Sequence, residues 1–330
     1  MTTGLAWENE GSFMYSDELS DVLRTQLQAA TKFRQFCEPD AGAMAKGLHR
    51  GEKYRWNIYG DLAVQGRRLN EHQPMPETNF TVDQAELTVI ELGNSVPYTG
   101  KLAALSKHDV LQIISKTLKN DARKSLDIEA WTQFNACKLR YAPTSGTSTT
   151  AVTATTNAAT ATTNNVAMGT GHLKAIVDDM QERNIPGFVD DDYVALSHPT
   201  TWRPFRNEME AIHQYTREGQ GMIYSGETGR YEGVRFCNQN FIPKGGANDS
   251  TTFDPYTRTA DAWNNAKSSW AFIMGGDTVN EAICIPEEVR AKLPGDYGRS
   301  GGIAYYYLGG FGIWHDTASE SRIAKWDSAA

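Results

Sequence analysis

Three features of the sequence predict an α+β fold. They are a period-two stretch between Lys53 and Tyr98 split by a long polar insert, one long amphipathic helix starting near Val110, and a helix–strand–helix unit followed by glycine-rich strands. With 330 residues, 40% hydrophobic and 22% charged, the chain is long enough for two packed cores, which excludes a disordered or collagen-like protein. No stretch approaches the roughly 18 consecutive apolar residues of a membrane span. The start MTTGLAWENEGSFM lacks the basic-then-apolar pattern of a signal peptide, so a soluble protein made inside the cell is expected. Forty acidic residues against 32 basic ones give a net charge of −8, which excludes gripping nucleic acid by global charge.

Taken in order, Ser16 precedes a run in which Leu19, Val22, Leu23, Leu27, Ala30 and Phe33 fall at helical spacing, with Asp17 and Glu18 suited to the positive end of a helix. Glu38-Pro39-Asp40 is expected to stop it. Tyr54, Trp56 and Ile58, then Phe80, Val82, Ala85, Leu87, Val89 and Leu92, alternate as strands do. The residues between them, Gly60 to Pro76, are turn formers and mixed charges with little to bury, so a long hairpin arm with a polar tip is expected. Such an arm is marginal alone in water and needs something to lie on. Ser106 and Asp109 form a capping-box-like start to the strongest helix, whose row Val110, Ile114, Leu118, Ala122, Leu126, Ala130, Phe134 runs at i, i+4 for about seven turns. Lys116, Lys119, Asp121, Arg123 and Lys124 cover its other sides.

From Thr144 to Thr163, ten of twenty residues are Thr, which predicts an exposed loop or edge strands. Leu173, Ile176, Val177 and Met180 mark a helix ended by Ile185-Pro186-Gly187. Tyr193 to Ser197 reads as a short buried strand, and Trp202, Phe205, Met209 and Ile212 line a second helix. The last third is strand and turn rich: Val234–Phe236, Trp270–Met274, Ala282–Ile285 and Ile303–Leu308, then two terminal strands at Ile313-Trp314 and Arg322–Trp326. Seven glycines between residues 295 and 312 allow turns or close backbone approach.

Motifs for chemistry are sparse. Cys37, Cys137, Cys237 and Cys284 lie too far apart for a CxxC pair and read as reduced thiols, and the seven histidines show neither HxH nor HExxH. Gly169-Thr170-Gly171 resembles the start of a dinucleotide loop but lacks the third glycine. No Walker motif exists, and Tyr224-Ser225-Gly226 is not a nucleophile elbow. Asp190, Asp191 and Asp192, with Asp178 and Asp179 upstream, form the best acidic cluster for a metal or for acid catalysis. Surface charge and a strand-entry turn account for it as well. No catalytic, cofactor-binding or metal residue is therefore assigned.

The order of parts (arm helix, long hairpin, spine helix, mixed α/β unit, glycine-rich return strands) resembles the major capsid protein of tailed double-stranded DNA phages, the Hong Kong 97-type fold. Two stretches are similar to the subfamily of coliphage N-four-like podophages. One is Ser197-His198-Pro199 leading through Trp202 to Arg206, a strand, His-Pro, then helix passage. The other is Gly226-Glu227-Thr228-Gly229-Arg230-Tyr231-Glu232-Gly233-Val234-Arg235-Phe236. In the second, Gly229 and Gly233 permit a tight strand reversal, Glu227 is placed to pair with Arg230 or Arg235, and Val234 and Phe236 alternate into a core.

The resemblance implies a non-enzymatic protein that assembles with itself into pentamers and hexamers of an icosahedral shell. It implies an N-terminal arm at 1–48, an extended loop with flanking strands at 49–98, a peripheral domain with the spine helix at 99–169, an axial domain at 170–290 and return strands at 291–330. Arg67, Arg68 and Glu71 at the loop tip become intersubunit contacts. The implied partners are a scaffolding protein, a portal and a decoration protein, with packaged DNA not specifically bound, no cofactor and no membrane. The implied location is the virion capsid, assembled in the host bacterial cytoplasm. The covalent crosslink of the founding member has no counterpart that aligns here, Lys53 included. An encapsulin-type compartment shares the fold, and a soluble α/β hydrolase or metal-dependent enzyme using Asp190 to Asp192 is the alternative of another class.

Overall fold

The computed structural model describes residues 31–62, 64–69, 71–72, 74–144, 151–158, 166–199, 201–213, 229–239, 242, 270–317 and 319–327. The expected helix from Ser16 lies largely outside them, as do Gly226, Glu227 and most of the Thr-rich run. After a 3-10 turn at Phe33–Phe36 come β1 (Cys37–Asp40), α1 (Gly42–Lys46), β2 (Lys53–Tyr59), β3 (Val82–Thr88), β4 (Ile90–Thr99), α2 (Gly100–Leu105) and α3 (Val110–Asn135). Then follow β5 (Leu139–Pro143), β6 (Val152–Thr155), α4 (Thr170–Glu182), β7 (Tyr193–Ser197), α5 (Arg203–His213), β8 (Arg230–Tyr231) and β9 (Val234–Asn238). The chain ends in β10 (Ala271–Met274), β11 (Val279–Gly295), β12 (Ser300–Ile313) and β13 (Ile323–Trp326).

The strands form a seven-stranded sheet of order β6-β5-β13-β10-β7-β9-β8, a four-stranded sheet of order β1-β11-β12-β4, and the β2-β3 hairpin. β7 sits near the middle of the larger sheet and is buried at every position, because both faces are covered. Tyr193 and Ala195 face α4 and α5 through Leu173, Ile176, Met180, Trp202 and Phe205, while Val194 and Leu196 face Trp131, Phe134 and Phe272. The helix–strand–helix reading thus identifies the centre of this core. The Thr-rich run contributes β6, an edge strand, as its composition suggests. Sheet pairing brings β5, β6 and β13 together with β7, β9 and β10, so strands from 99–169 and 291–330 complete the sheet of 170–290.

α3 links the sheets, and all seven residues of its predicted i, i+4 row are buried. Val110, Ile114, Leu118 and Ala122 pack with Tyr305 against the four-stranded sheet, and Leu126, Ala130 and Phe134 pack under the seven-stranded one. Its cap differs from the expected box. Asp109 itself accepts from the Leu111 N–H at 2.9 Å, whereas Ser106 ends the unpredicted helix α2 and donates to the His108 carbonyl at 2.7 Å.

Two further expectations are corrected. Glu38-Pro39-Asp40, expected to stop a helix that reaches Phe33, follows a 3-10 turn at Phe33–Phe36 and belongs to β1, which pairs in parallel with Val279–Ala282. Pro39 is tolerated because β1 lies at the edge of the sheet formed by the described residues. Ile313 is the end of β12 and not a separate strand, leaving β13 as the single terminal strand.

Candidate interaction surfaces

The β2–β3 arm has a packed base and a bare tip. Its strands pair antiparallel from Lys53↔Thr88 to Tyr59↔Val82, as the period-two pattern predicts. At the base, Tyr54 and Leu87 are buried with Val89 and Leu308, and the Trp56 indole donates to the Trp314 carbonyl at 3.3 Å. The glycines of β12 let the hairpin lie on the sheet. A β-carbon at Gly312 would fall 2.7 Å from Leu87 Cβ, and one at Gly310 would fall 2.6 Å from the Thr88 carbonyl oxygen. Close approach is therefore what these glycines provide. On the outer side Lys53 and Arg55 pair with Glu86, and the hydrogen bond and charge of Lys53, joined by those of Arg55, hold the Glu86 carboxyl below its usual range.

Beyond the bond from Gly60 N–H to the Thr81 carbonyl at 2.8 Å, the tip has no support from the rest of the described chain. Arg67, Arg68 and Glu71 are exposed there, and the Arg67 guanidinium reaches only the Pro74 carbonyl of the same loop, at 3.4 Å. The tip is less polar than its sequence suggests. Val64 is 97% exposed and Met75 69%, with Tyr59, Leu62, Leu69, Phe80 and Val82 also uncovered. Large contiguous apolar patches are uncommon on monomeric proteins, which makes this tip a candidate interaction surface. The signal was present in the sequence but diluted by the surrounding charges.

The start of the described chain is fastened by buried charge. Asp127, on α3, is fully buried and accepts from the Arg34 backbone N–H at 3.0 Å. The Arg34 guanidinium grips Glu281 at 2.7 Å and also pairs with Glu287. Tyr307 donates to Glu281 at 3.0 Å, and burial, then the Glu281 charge, pushes its hydroxyl well up. These residues are far apart in sequence, so no local pattern announces them.

The second resemblance stretch is partly visible. Tyr231 and Val234 close a two-residue turn at Glu232 (φ 48°) and Gly233 (φ 70°), the left-handed pair that a tight reversal requires. Gly229 precedes β8 at φ 68°. Val234 is fully buried and Phe236 packs against the same core. Glu227 lies outside the described residues; Arg230 and Arg235 pair with Asp192 at 2.5 and 2.7 Å. Arg235, then Arg230, holds the Asp192 carboxyl below its ordinary value against the effect of burial. His198 is buried and Pro199 half-buried where β7 leads toward α5, the passage read from sequence.

Asp192 is thus a structural partner and not part of an open acidic cluster. Asp179 accepts from Tyr141 and from Arg183 at 2.8 Å. Among the described residues no group of three or more His, Cys, Asp and Glu is placed to hold a metal. The apparent phosphate loop is also filled. Glu208 accepts from the Thr170 N–H at 2.7 Å and its hydroxyl at 2.6 Å, so the start of α4 already holds a carboxylate of this chain. The four cysteines are free thiols.

No family model matches the chain, and no curated protein matches it in sequence. Solved structures do match. The capsid structure of cyanophage P-SCSP1u superposes with a TM-score of 0.67 at 14% identity, over 97% of this chain and 94% of that one. The acid-stable capsid structure of Helicobacter pylori bacteriophage KHP30 gives 0.63 at 11% identity, over 99% of both chains. The chain has the Hong Kong 97-type capsid fold. The capsid asymmetric unit of cyanophage Pam1 extends the likeness to 100% of both chains, with a TM-score of 0.61 at 13% identity.

Proposed function

We propose that this chain is a major capsid protein that assembles with itself into pentamers and hexamers of an icosahedral phage shell around double-stranded DNA. One observation carries the reading: a capsid-fold subunit extends an arm whose tip exposes Val64, Met75 and Phe80, with none of the described residues of its own chain beneath it. A neighbouring copy is the natural cover. In this reading Arg67, Arg68 and Glu71 contact the adjacent subunit, and 1–48, 49–98, 99–169, 170–290 and 291–330 serve as arm, extended loop, peripheral domain, axial domain and return strands. His198, Pro199, Gly226, Glu227, Gly229, Gly233 and Arg235 are structural residues, and no catalytic role is assigned. The two resemblance stretches are what support the finer placement with the N-four-like podophages. Net acidity suits a wall that encloses DNA without binding it. Scaffolding protein, portal and decoration protein are partners of this reading, and the virion is its location, with assembly in the host bacterial cytoplasm.

The test replaces residues 60–78 by an Asn-Gly turn, which keeps the paired strands and removes the tip. Subunit melting should shift little while shells fail to form or fall apart, as seen by light scattering and electron microscopy. Normal shells from this variant, or a wild-type chain that stays monomeric at all concentrations with and without a co-expressed scaffold, would overturn the proposal.

A further inference from the structure

The corner where β1 enters its sheet gathers five ionisable groups from three stretches of chain. Glu38 lies on β1, Asp277 in the turn between β10 and β11, and His315, Glu320 and Arg322 in the segment between β12 and β13. Asp277 holds the left-handed value φ 50° two residues before Val279, where the pairing with β1 begins. Backbone bonds fix that turn: the Gly275 N–H donates to the Arg322 carbonyl and the Trp314 N–H to the Thr278 carbonyl, both at 3.0 Å. The Arg322 guanidinium bonds the Asp277 carboxylate at 2.7 Å, and His315 Nδ1 lies 3.5 Å from the Glu320 carboxylate. The Glu38 carboxyl is hydrogen-bonded to both the side chain and the backbone N–H of Asp277.

Charge does not balance at this corner. With every carboxyl ionised, Glu38, Asp277 and Glu320 share the single guanidinium of Arg322, which is already engaged with Asp277. His315 does not make up the difference, because burial, then the Arg322 charge, holds its imidazole below the ordinary value. Two carboxyl groups hydrogen-bond each other only when one of them carries a proton. Glu38 takes it: burial first, then the charge and hydrogen bond of Asp277, push its carboxyl up, against the Asp277 N–H and Arg322. At the other end of β1, Asp40 is held low by Tyr54 and Gly42 in spite of its burial, so it stays charged in the same range.

We infer that Glu38 and Asp277 form a proton-operated latch, which fastens β1 to the sheet at mildly acidic pH and slackens as the pH rises toward neutrality. The folded chain keeps this proton where the unfolded chain has lost it. The contribution is therefore gained as pH falls toward the ordinary glutamate value, about 4.3, and lost as pH rises through the raised one. Slackening uncovers the backbone of Val279–Ala282, for which β1 is the outer partner. The contact lies within one subunit and does not depend on shell formation.

The test is hydrogen exchange read by mass spectrometry on the full-length chain at about pH 5 and about pH 7.5, corrected for the intrinsic pH dependence of amide exchange. The peptide containing Cys37–Asp40 should be several-fold more protected at the lower pH, while the peptide containing Tyr193–Ser197 on β7 shows no matching change. Glu38→Gln keeps the shape of the side chain and removes its charge, so it should protect the first peptide equally at both values, at the wild-type acid level. Asp277→Asn should flatten the difference as well, which gives an answer if Glu38→Gln fails to fold. His315→Gln should not reduce it. Equal protection of wild-type β1 at both pH values would overturn the inference. So would a difference that persists in Glu38→Gln, or one that His315→Gln abolishes.

Discussion

β7 and the arm are both short runs of extended chain, yet every residue of β7 is buried while β2 alternates and its hairpin tip is bare. The difference lies in how many layers cover each. β7 has α4 and α5 on one face and α3 on the other, so its apolar residues are satisfied within the chain. Among the described residues the arm has one layer beneath its base and none beneath its tip. Stability should therefore concentrate in the first region and association in the second.

Substitution in the covered region should have the largest effect. Phe272, fully buried on β10 beside Phe33, should lose about 3–5 kcal/mol as Phe272→Ala, read by denaturant midpoint. Phe33→Ala should approach it, because Phe33 is equally buried and joins the same cluster. For that reason, a truncation that removes Phe33 and β1 should destabilise the subunit itself, whereas one ending at residue 30 spares both. A Phe272→Ala variant that melts like the wild type would break the contrast at its stronger end.

The arm base should respond next. Gly312→Ala forces a β-carbon to within 2.7 Å of Leu87 Cβ, so the hairpin must lift or the strand must shift. Overpacking of this kind costs about 1–3 kcal/mol. Because the tip is carried by the same hairpin, Gly312→Ala should also impair assembly, which Phe272→Ala variants that still fold should not do selectively.

Tyr54 links the arm to β1 and adds a pH signature. Its hydroxyl donates to the Asp40 carboxylate at 2.6 Å, and burial, then this bond, pushes its pKa up to about 12. An unfolded tyrosine titrates near pH 10, so the folded state binds more protons between about pH 10 and 12. The stabilisation is full below that window and is lost as pH rises through it. Burial pushes Asp40 the other way, but the Tyr54 hydroxyl and the Gly42 N–H outweigh it and hold the carboxyl below its usual value. Its contribution is present above the unfolded carboxylate pKa and lost as pH falls through the lowered one. Tyr54→Phe should cost about 1–2 kcal/mol at neutral pH. The variant should also melt less steeply with pH between about 10 and 12 than the wild type, and equal slopes would show that the bond does not form.

What was legible in the sequence follows the range of the interactions. The α3 row could be read because its partners recur every four residues, and β7 because a run buried on both faces carries an unbroken apolar stretch, Val194-Ala195-Leu196. The Glu232-Gly233 reversal was readable from its glycine. β1 was not, since Glu38-Pro39-Asp40 is a strand only through a parallel partner far along the chain. The same holds for Asp127 with Arg34, Arg34 with Glu281, and Asp192 with Arg235. Each is polar in sequence and buried or clamped only once distant elements meet. The arm's exposed apolar strip was obscured for the opposite reason. Its charges are local, while the meaning of Val64 or Met75 depends on what lies under them.

Val64→Ser should have the smallest effect on the subunit and tests the other end of the contrast. Val64 is 97% exposed, so the isolated chain should change by no more than about 0.5 kcal/mol. If a neighbouring copy covers the tip, each subunit loses the burial of one valine, worth about 1.5 kcal/mol. A difference of that size raises the concentration needed for association roughly tenfold, since 1.4 kcal/mol is a factor of ten. Light scattering against protein concentration should therefore show assembly beginning near tenfold higher concentration while the melting curve stays fixed. A variant that assembles at the wild-type concentration would place Val64 outside the contact and move the interaction surface toward Met75 and Phe80. A variant that also melts early would mean that the tip is supported by its own chain after all.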